Sequence, residues 1–315
     1  MSKLIANDSR PDSDTAPNES AAPDSRSARE RLLDTARTSP YAGGPAEIER
    51  FGHLLDIVAG LGSCVLALSG GIDSSFLLAV VSPILGEKCL ALTADSAAVP
   101  AWDRTDAAVA AVNAGKNGSR WRTIPTKELD DPRYVNNPRS RCYFCKTEVY
   151  GAATAIARSD GYAWVVDGTN ATDTQRTDRP GMVAAAELAV RSPLAEAGIA
   201  KEELRGLARA LGIEGWDRPA SACLASRIPF GETITAQRLR RVEAAELALR
   251  GMGFRQVRVR DFAGHARVEV EPEDIERLRV RADDVESRLL ALGFETWASG
   301  SYTGMGAGDS PSAYN

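Results

Sequence analysis

The chain has 315 residues, 43% of them hydrophobic, and a formal net charge of −5 at pH 7. That size buries a substantial core and predicts two domains, while the acidic balance argues against a protein whose main task is gripping a nucleic-acid backbone. No run approaches the ~18 apolar residues of a membrane span and no signal-peptide core opens the chain, so no membrane partner and a cytoplasmic location are expected. Five cysteines do not make a disulfide framework at this length, and the two histidines, His53 and His265, argue against histidine-rich zinc catalysis.

Residues 1–45 are rich in Ser, Asp, Pro, Arg and Ala. Such a segment cannot bury enough surface to offset its ordering entropy, and it predicts a disordered tail with a transient helix over Ala28–Arg37. From Ala46 a helical spacing begins, with Ile48, Phe51, Leu54, Leu55 and Val58 on one face, and it ends at Gly60-Leu61-Gly62. The apolar run Cys64–Leu68 has the length of a buried strand, and Phe76–Val81 suits a helix packed on a sheet. Further strands at Lys88–Thr93, Arg120–Pro125 and Tyr162–Asp167 alternate with helices at Asp103–Ala114 and Tyr143–Ser159. This alternation indicates βαβ units, hence an α/β fold with a parallel sheet. A helix over Lys201–Leu211 ends at Gly212, and Trp216-Asp217-Arg218-Pro219 makes a break. Then come a helix (Ala236–Met252), two alternating runs (Gln256–Arg260 and Ala266–Glu271), a helix (Pro272–Leu292) and a strand (Phe294–Trp297). Residues 46–224 therefore read as an α/β domain, 225–300 as a smaller α+β domain, and 301–315 as a flexible tail.

The stretch Ser69-Gly70-Gly71-Ile72-Asp73-Ser74-Ser75 joins the first strand to its helix. Two glycines allow a sharp turn that leaves backbone N–H groups uncovered, and a helix N-terminus adds a site for phosphate. Ser69 and Ser74 add hydroxyl donors, and Asp73 is a candidate Mg²⁺ ligand. No Gly-Lys-Ser/Thr follows, so this is not the ordinary P-loop. The pattern SGGxDS resembles the PP-loop of ATP pyrophosphatases, which cleave ATP between its α and β phosphates and leave AMP on a substrate. In parallel sheets ligands sit at the carboxyl ends of the strands, which gathers this loop, the stretch from Thr93 to Ser96, and Gly168-Thr169-Asn170 on one edge.

Cys142 and Cys145 form a C-x-x-C in RCYFCK, and Cys223 lies far downstream in ACLASR. Alone, the C-x-x-C fits a redox pair, half a zinc site or two unrelated thiols. A structural zinc site wants four protein ligands, and no suitable fourth is evident. Three cysteines do suit a 4Fe–4S cluster with one iron open to hold an extra sulfide. Cys223 has a second reading, as a thiolate favoured by a nearby cation that attacks an activated carboxylate beside the ATP site. Cys64 and Cys89 fall inside core strands, where a free cysteine is a small apolar residue.

The motifs SGGIDSS, RCYFCK, GTNATD, RPG, VRSPL and RPASACLASRIPFGE occur here in the order seen in the LarE family, over residues 46–300. The resemblance implies an ATP-dependent sulfur insertase of nickel-pincer cofactor biosynthesis. Such enzymes adenylylate a carboxylate of pyridinium-3,5-biscarboxylic acid mononucleotide and replace its oxygen with sulfur. One subgroup of the family donates sulfur from the ACLASR cysteine, which becomes dehydroalanine; a second also carries C-x-x-C and holds a 4Fe–4S cluster with three cysteines. This chain has all three, so the resemblance favours Cys142, Cys145 and Cys223 as cluster ligands, with the sacrificial route open. It implies that Ser69, Gly70, Gly71, Asp73 and Ser74 bind ATP phosphates and Mg²⁺. Gly168, Thr169, Asn170 and Asp173 match the GTN segment of the nucleotide edge, with Arg191 of VRSPL beside it. Arg227 suits a phosphate or carboxylate, and Arg258 with Arg260 a mononucleotide phosphate. Glu246 and Glu269 are candidates for polar or metal contacts. A homo-oligomer, a protein that resupplies sulfide and a downstream nickel-inserting protein are the implied partners. A tRNA thiolase shares the loop and the three cysteines, but residues 221–300 balance arginines against acidic groups and contain no lysine, which does not favour a tRNA backbone. An amidotransferase-type ligase such as an NAD or GMP synthetase would not need the cysteines. A nucleotide-binding regulator would bind ATP and release no AMP or pyrophosphate.

Overall fold

A computed structural model describes residues 25–175, 180–219 and 221–302. Two helices open it, α1 (Ser25–Thr38) and α2 (Pro45–Gly60). Ala28, Leu33 and Ala36 of α1 are buried in the same core as Phe51, Leu54, Leu55 and Val58 of α2. A bidentate ion pair, Arg29 to Asp56 at 2.7 and 3.0 Å, ties the two together. The expected disorder is thus absent from residues 25–45. The apolar stripe of α1 is narrow and partly alanine, so average composition hides it while close packing uses it.

The alternating region follows as β1 (Cys64–Ala67), α3 (Ile72–Leu85), β2 (Cys89–Asp95), α4 (Ala101–Gly115), β3 (Arg120–Pro125), α5 (Pro132–Val135), α6 (Arg141–Asp160) and β4 (Trp164–Val166). The sheet order is β3-β2-β1-β4, all parallel. β1 is central and reads as a continuous apolar run because both its faces are covered. Cys64 and Cys89 are fully buried in register on adjacent strands, where they pack as small apolar residues. Val166 pairs in parallel with Arg191, carrying the sheet one step past β4. Four helices lie in this part of the chain: α7 (Ala171–Thr174), α8 (Pro180–Glu187), α9 (Pro193–Glu196) and α10 (Lys201–Ala210). The first three are too short to show a periodic pattern in sequence.

A second, smaller sheet comes from α11 (Ala236–Gly251), β5 (Val257–Phe262), β6 (His265–Val270), α12 (Ile275–Val280), α13 (Ala282–Ala291) and β7 (Thr296–Ser301), in the order β5-β6-β7. β5 and β6 are an antiparallel hairpin whose turn residues Ala263 and Gly264 both have positive φ; β6 and β7 are parallel. Val257, Val259, Val268 and Val270 pack on Leu249, Leu278, Val285 and Phe294. The single helix expected over 272–292 is broken: Arg281 leaves helical geometry and its guanidinium donates to the Met252 carbonyl at 3.0 Å. A third apolar cluster lies between the two sheets, joining Ala98 beyond β2, Tyr134 of α5, Leu224, Ala225 and Ile228, and Leu239 and Val242 of α11. No helix among the described residues is long and apolar enough to cross a membrane.

Ala36 is fully buried. Replacing it with aspartate places an unpaired carboxylate in the main core and should lower stability by about 3 kcal/mol or more, read from urea unfolding. An unchanged midpoint would mean that α1 does not hold its place in solution.

Candidate active site

The loop from β1 to α3 is shaped by two glycine contacts. Gly70 has φ +82°, and a Cβ there would collide with the Asp103 carbonyl of α4. A Cβ on Gly168, just past β4, would lie 2.7 Å from the Ser74 nitrogen. Backbone from α4 and from the end of β4 therefore closes on the first turn of α3, and only glycine allows either approach. Inside the loop the Ser74 hydroxyl donates to the Gly71 carbonyl (3.1 Å) and accepts from the Ser69 N–H (3.2 Å). Ser69 and Ser74 hydroxyls lie 3.1 Å apart. The result is a preformed turn at a helix N-terminus, the geometry that binds phosphate.

The other strand ends converge on the same place. Asp167 is buried and accepts from Tyr150, from the Thr169 N–H (3.0 Å) and hydroxyl (2.8 Å), and from the Ser192 hydroxyl (2.7 Å). Asn170 caps α7 with Asp173, and its Nδ2 donates to Asp73 Oδ1 at 3.1 Å. The other Asp73 oxygen meets Lys201 Nζ at 2.6 Å. On α6, Lys146 lies over the Tyr150 ring at 4.8 Å, and Tyr150 with Asp167 holds its ammonium above the usual lysine range. Burial pushes the Tyr150 phenol up to about 12.

The cysteines approach this edge from two sides. Cys142 and Cys145 sit in the first turns of α6, upstream of Lys146 and Tyr150. Cys223 precedes a 3₁₀ turn, Leu224–Arg227, whose Leu224 N–H donates to Ala98 at 2.8 Å. The Ser221 hydroxyl donates to Asp103 Oδ2 at 2.8 Å, so the residue whose carbonyl abuts Gly70 also holds the loop leading to Cys223. Burial and the nearby Cys223 push the Cys145 thiol up to about 12. Cys142 rises as well through lost hydration beside Cys223, while Arg141 works the other way.

Arginines line the face toward the smaller sheet. Arg227 and Glu246 form a buried bidentate pair at 2.7 and 3.0 Å, and Glu246 also accepts the Val259 N–H. Arg260 pairs with Glu269 at 2.8 Å. Arg258 is buried with one guanidinium nitrogen unpartnered; burial and then Arg227 lower its pKa. Several of the expected site residues already have partners, and Thr93 and Arg191 join Asp73, Arg227 and Arg260 in this. The Thr93 hydroxyl accepts from the Trp121 indole at 3.0 Å, and Arg191 pairs with Glu196 and stacks on Trp164. Arg179 of RPG and Ala220 lie outside the described residues. Sequence reading missed Asp167, Lys201 and Tyr150, since no spacing links Lys201 to a carboxylate 128 positions away.

The donor types of the three thiols suit iron–sulfur chemistry. Cys142 and Cys145 both lie near enough to Cys223 for it to raise their pKa values, while among the described residues no three His, Cys, Asp or Glu groups are arranged around a single metal ion. Asp73 is a suitable hard donor for Mg²⁺, yet both its oxygens are taken, one by a lysine.

No family model matches the chain. It is 42% identical over 217 residues to an uncharacterized protein of Synechocystis, covering 69% of this chain and 80% of the relative. An uncharacterized protein of Methanocaldococcus jannaschii is 29% identical over 231 residues, covering 73% and 86%. The pyridinium-3,5-bisthiocarboxylic acid mononucleotide synthase of Lactiplantibacillus plantarum is 34% identical over 229 residues, covering 73% of this chain and 82% of that enzyme. With the parallel sheet, the glycine-bounded loop and the smaller second sheet, that likeness shows that the chain belongs to the LarE family of pyridinium-3,5-bisthiocarboxylic acid mononucleotide synthases.

Proposed function

We propose that the chain is an ATP-dependent sulfur transferase that turns the carboxylates of pyridinium-3,5-biscarboxylic acid mononucleotide into thiocarboxylates for the nickel-pincer cofactor of lactate racemase. One observation carries this reading: Asp103 touches the phosphate loop at Gly70 and the cysteine loop at Ser221, so both halves of the reaction share one hinge point. The loop N–H groups and the N-terminus of α3 take the phosphates of ATP. The substrate carboxylate attacks the α-phosphate, pyrophosphate leaves, and the developing charge is held by those fixed donors. A sulfur nucleophile presented at Cys223 then attacks the acyl carbon and displaces AMP. Two rounds complete one molecule. Arg258, with an unpartnered nitrogen, and Arg260 clamp the mononucleotide phosphate.

Residues 225–300 serve as the substrate and oligomerisation unit, and a sulfide source and a nickel-inserting protein complete the partner set. The family resemblance favours a 4Fe–4S cluster on Cys142, Cys145 and Cys223. The second reading has Cys223 itself as the sulfur donor.

Anaerobic purification with iron and sulfide analysis decides the sulfur source: about four irons per chain support the cluster, whereas colourless protein whose Cys223 loses its sulfur on turnover supports the sacrificial route. Gly70→Ala forces the loop against α4 and should lower substrate-dependent pyrophosphate release about 100-fold. Cys223→Ser should abolish thiocarboxylate formation while pyrophosphate release stays within about twofold of wild type. Thiocarboxylate made at the normal rate by that variant would sink the reading.

A further inference from the structure

Tyr134 is the feature that the reaction scheme leaves unused. It lies on α5, is 1% exposed, and its hydroxyl has no hydrogen-bond partner. Its backbone is fixed: the Tyr134 N–H donates to the Asp131 carbonyl at 3.0 Å, and the next residue's carbonyl accepts from Ile234 at 2.9 Å. The ring packs in the apolar cluster between the sheets, against which Phe144, Cys145 and Cys223 also pack. Glu128 is close enough to act on the phenol, but its carboxylate is engaged by the Ser96 hydroxyl. An O–H buried without an acceptor is disfavoured, and phenylalanine would fill the same space. The hydroxyl is accounted for if an acceptor arrives in the pocket. The thiols of Cys223 and Cys145 are the groups there that gain an acceptor when they carry sulfur. Tyr134 and Phe144 also line a cavity of about 340 Å³ between α5 and α6.

We propose that the Tyr134 hydroxyl is a positioning donor that hydrogen-bonds an extra sulfur atom carried on Cys223. The idea rests on the sulfur-transfer reading above and adds a third sulfur carrier, a persulfide on Cys223, beside a cluster-bound sulfide and the Cys223 sulfur itself. A persulfide ends in an anionic sulfur, and a dry pocket strengthens an O–H bond to such a charge. The same pocket gives a neutral donor no reason to be kept if the sulfur never visits.

The test uses the full chain and inorganic polysulfide as the probe. The Cys223 thiol loses its proton to buffer and its thiolate attacks a terminal S–S bond. A new S–S bond forms to Cys223, the attacked bond breaks, and polysulfide leaves one sulfur shorter with the electron pair. Mass spectrometry of the Cys223 peptide gives the fraction loaded at each polysulfide concentration. Tyr134→Phe should lower that loading constant about tenfold, the loss expected for a hydrogen bond to a charged acceptor, with no loss of thermal stability. A spectroscopic readout follows the loading of the wild type itself. The C–O stretch of Tyr134, assigned by infrared difference against Tyr134→Phe, should shift on loading of wild type and stay fixed in Cys223→Ser. Equal loading of wild type and Tyr134→Phe, an unmoved band, or no persulfide at Cys223 overturns the proposal. Neither readout needs ATP or the mononucleotide. Reduced loading in Tyr134→Phe by a chain that makes no thiocarboxylate would therefore retire the sulfur-transfer reading and leave the sulfur-holding role standing.

Discussion

Asp103 is where the molecule is joined. Its main-chain carbonyl occupies the space beside Gly70, so the phosphate loop can have no side chain there. Its carboxylate accepts from Ser221, two residues before Cys223, and burial raises its pKa. A side chain that is poorly hydrated and bonded to one hydroxyl costs stability unless its bond is kept, so the carboxylate resists release of the cysteine loop. Through this one residue the first turn of α4 sets the distance between the Ser69–Ser75 loop and the segment that carries Cys223. The apolar cluster of Ala98, Tyr134, Leu224 and Leu239 backs the same joint and keeps water from it.

Charge is distributed unevenly around that joint. Glu246 is fully buried and spends both oxygens on Arg227, with a backbone N–H added. Arg258 and Arg250 are left with burial and neighbouring arginines acting against their charge, and both pKa values fall below the usual range. A region in which cations outnumber their partners is held together by packing rather than by its ion pairs. It is also a region whose electrostatics improve when an anion enters, as the proposed mononucleotide site requires.

Much of this was legible in the residue pattern. β3 falls where the alternation places it, and α10 begins at Lys201 as expected, because each element is bounded by residues with local meaning: the Gly118–Ser119 turn before β3, and the break from Gly212 after α10. The loop and the three cysteines were also legible, since glycine pairs and clustered thiols are rare and chemically specific. What stayed hidden depends on distant partners. Helix α1 looks polar on average and is ordered by a core that its own sequence does not contain. The Tyr134 hydroxyl and the Asp167 hub become visible only when strands and loops far apart in the chain are brought together. The break at Arg281 is of the same kind, since the carbonyl that draws its guanidinium belongs to Met252.

The ion pair between Lys201 and Asp73 has a wider meaning for the phosphate site. A bare carboxylate beside a helix N-terminus would repel any anion drawn to that end. With an ammonium 2.6 Å away, the carboxylate contributes almost no net field, and the helix N-terminus faces incoming phosphate unopposed. The charge at this loop is therefore set in advance by a residue on a helix 128 positions later in the chain.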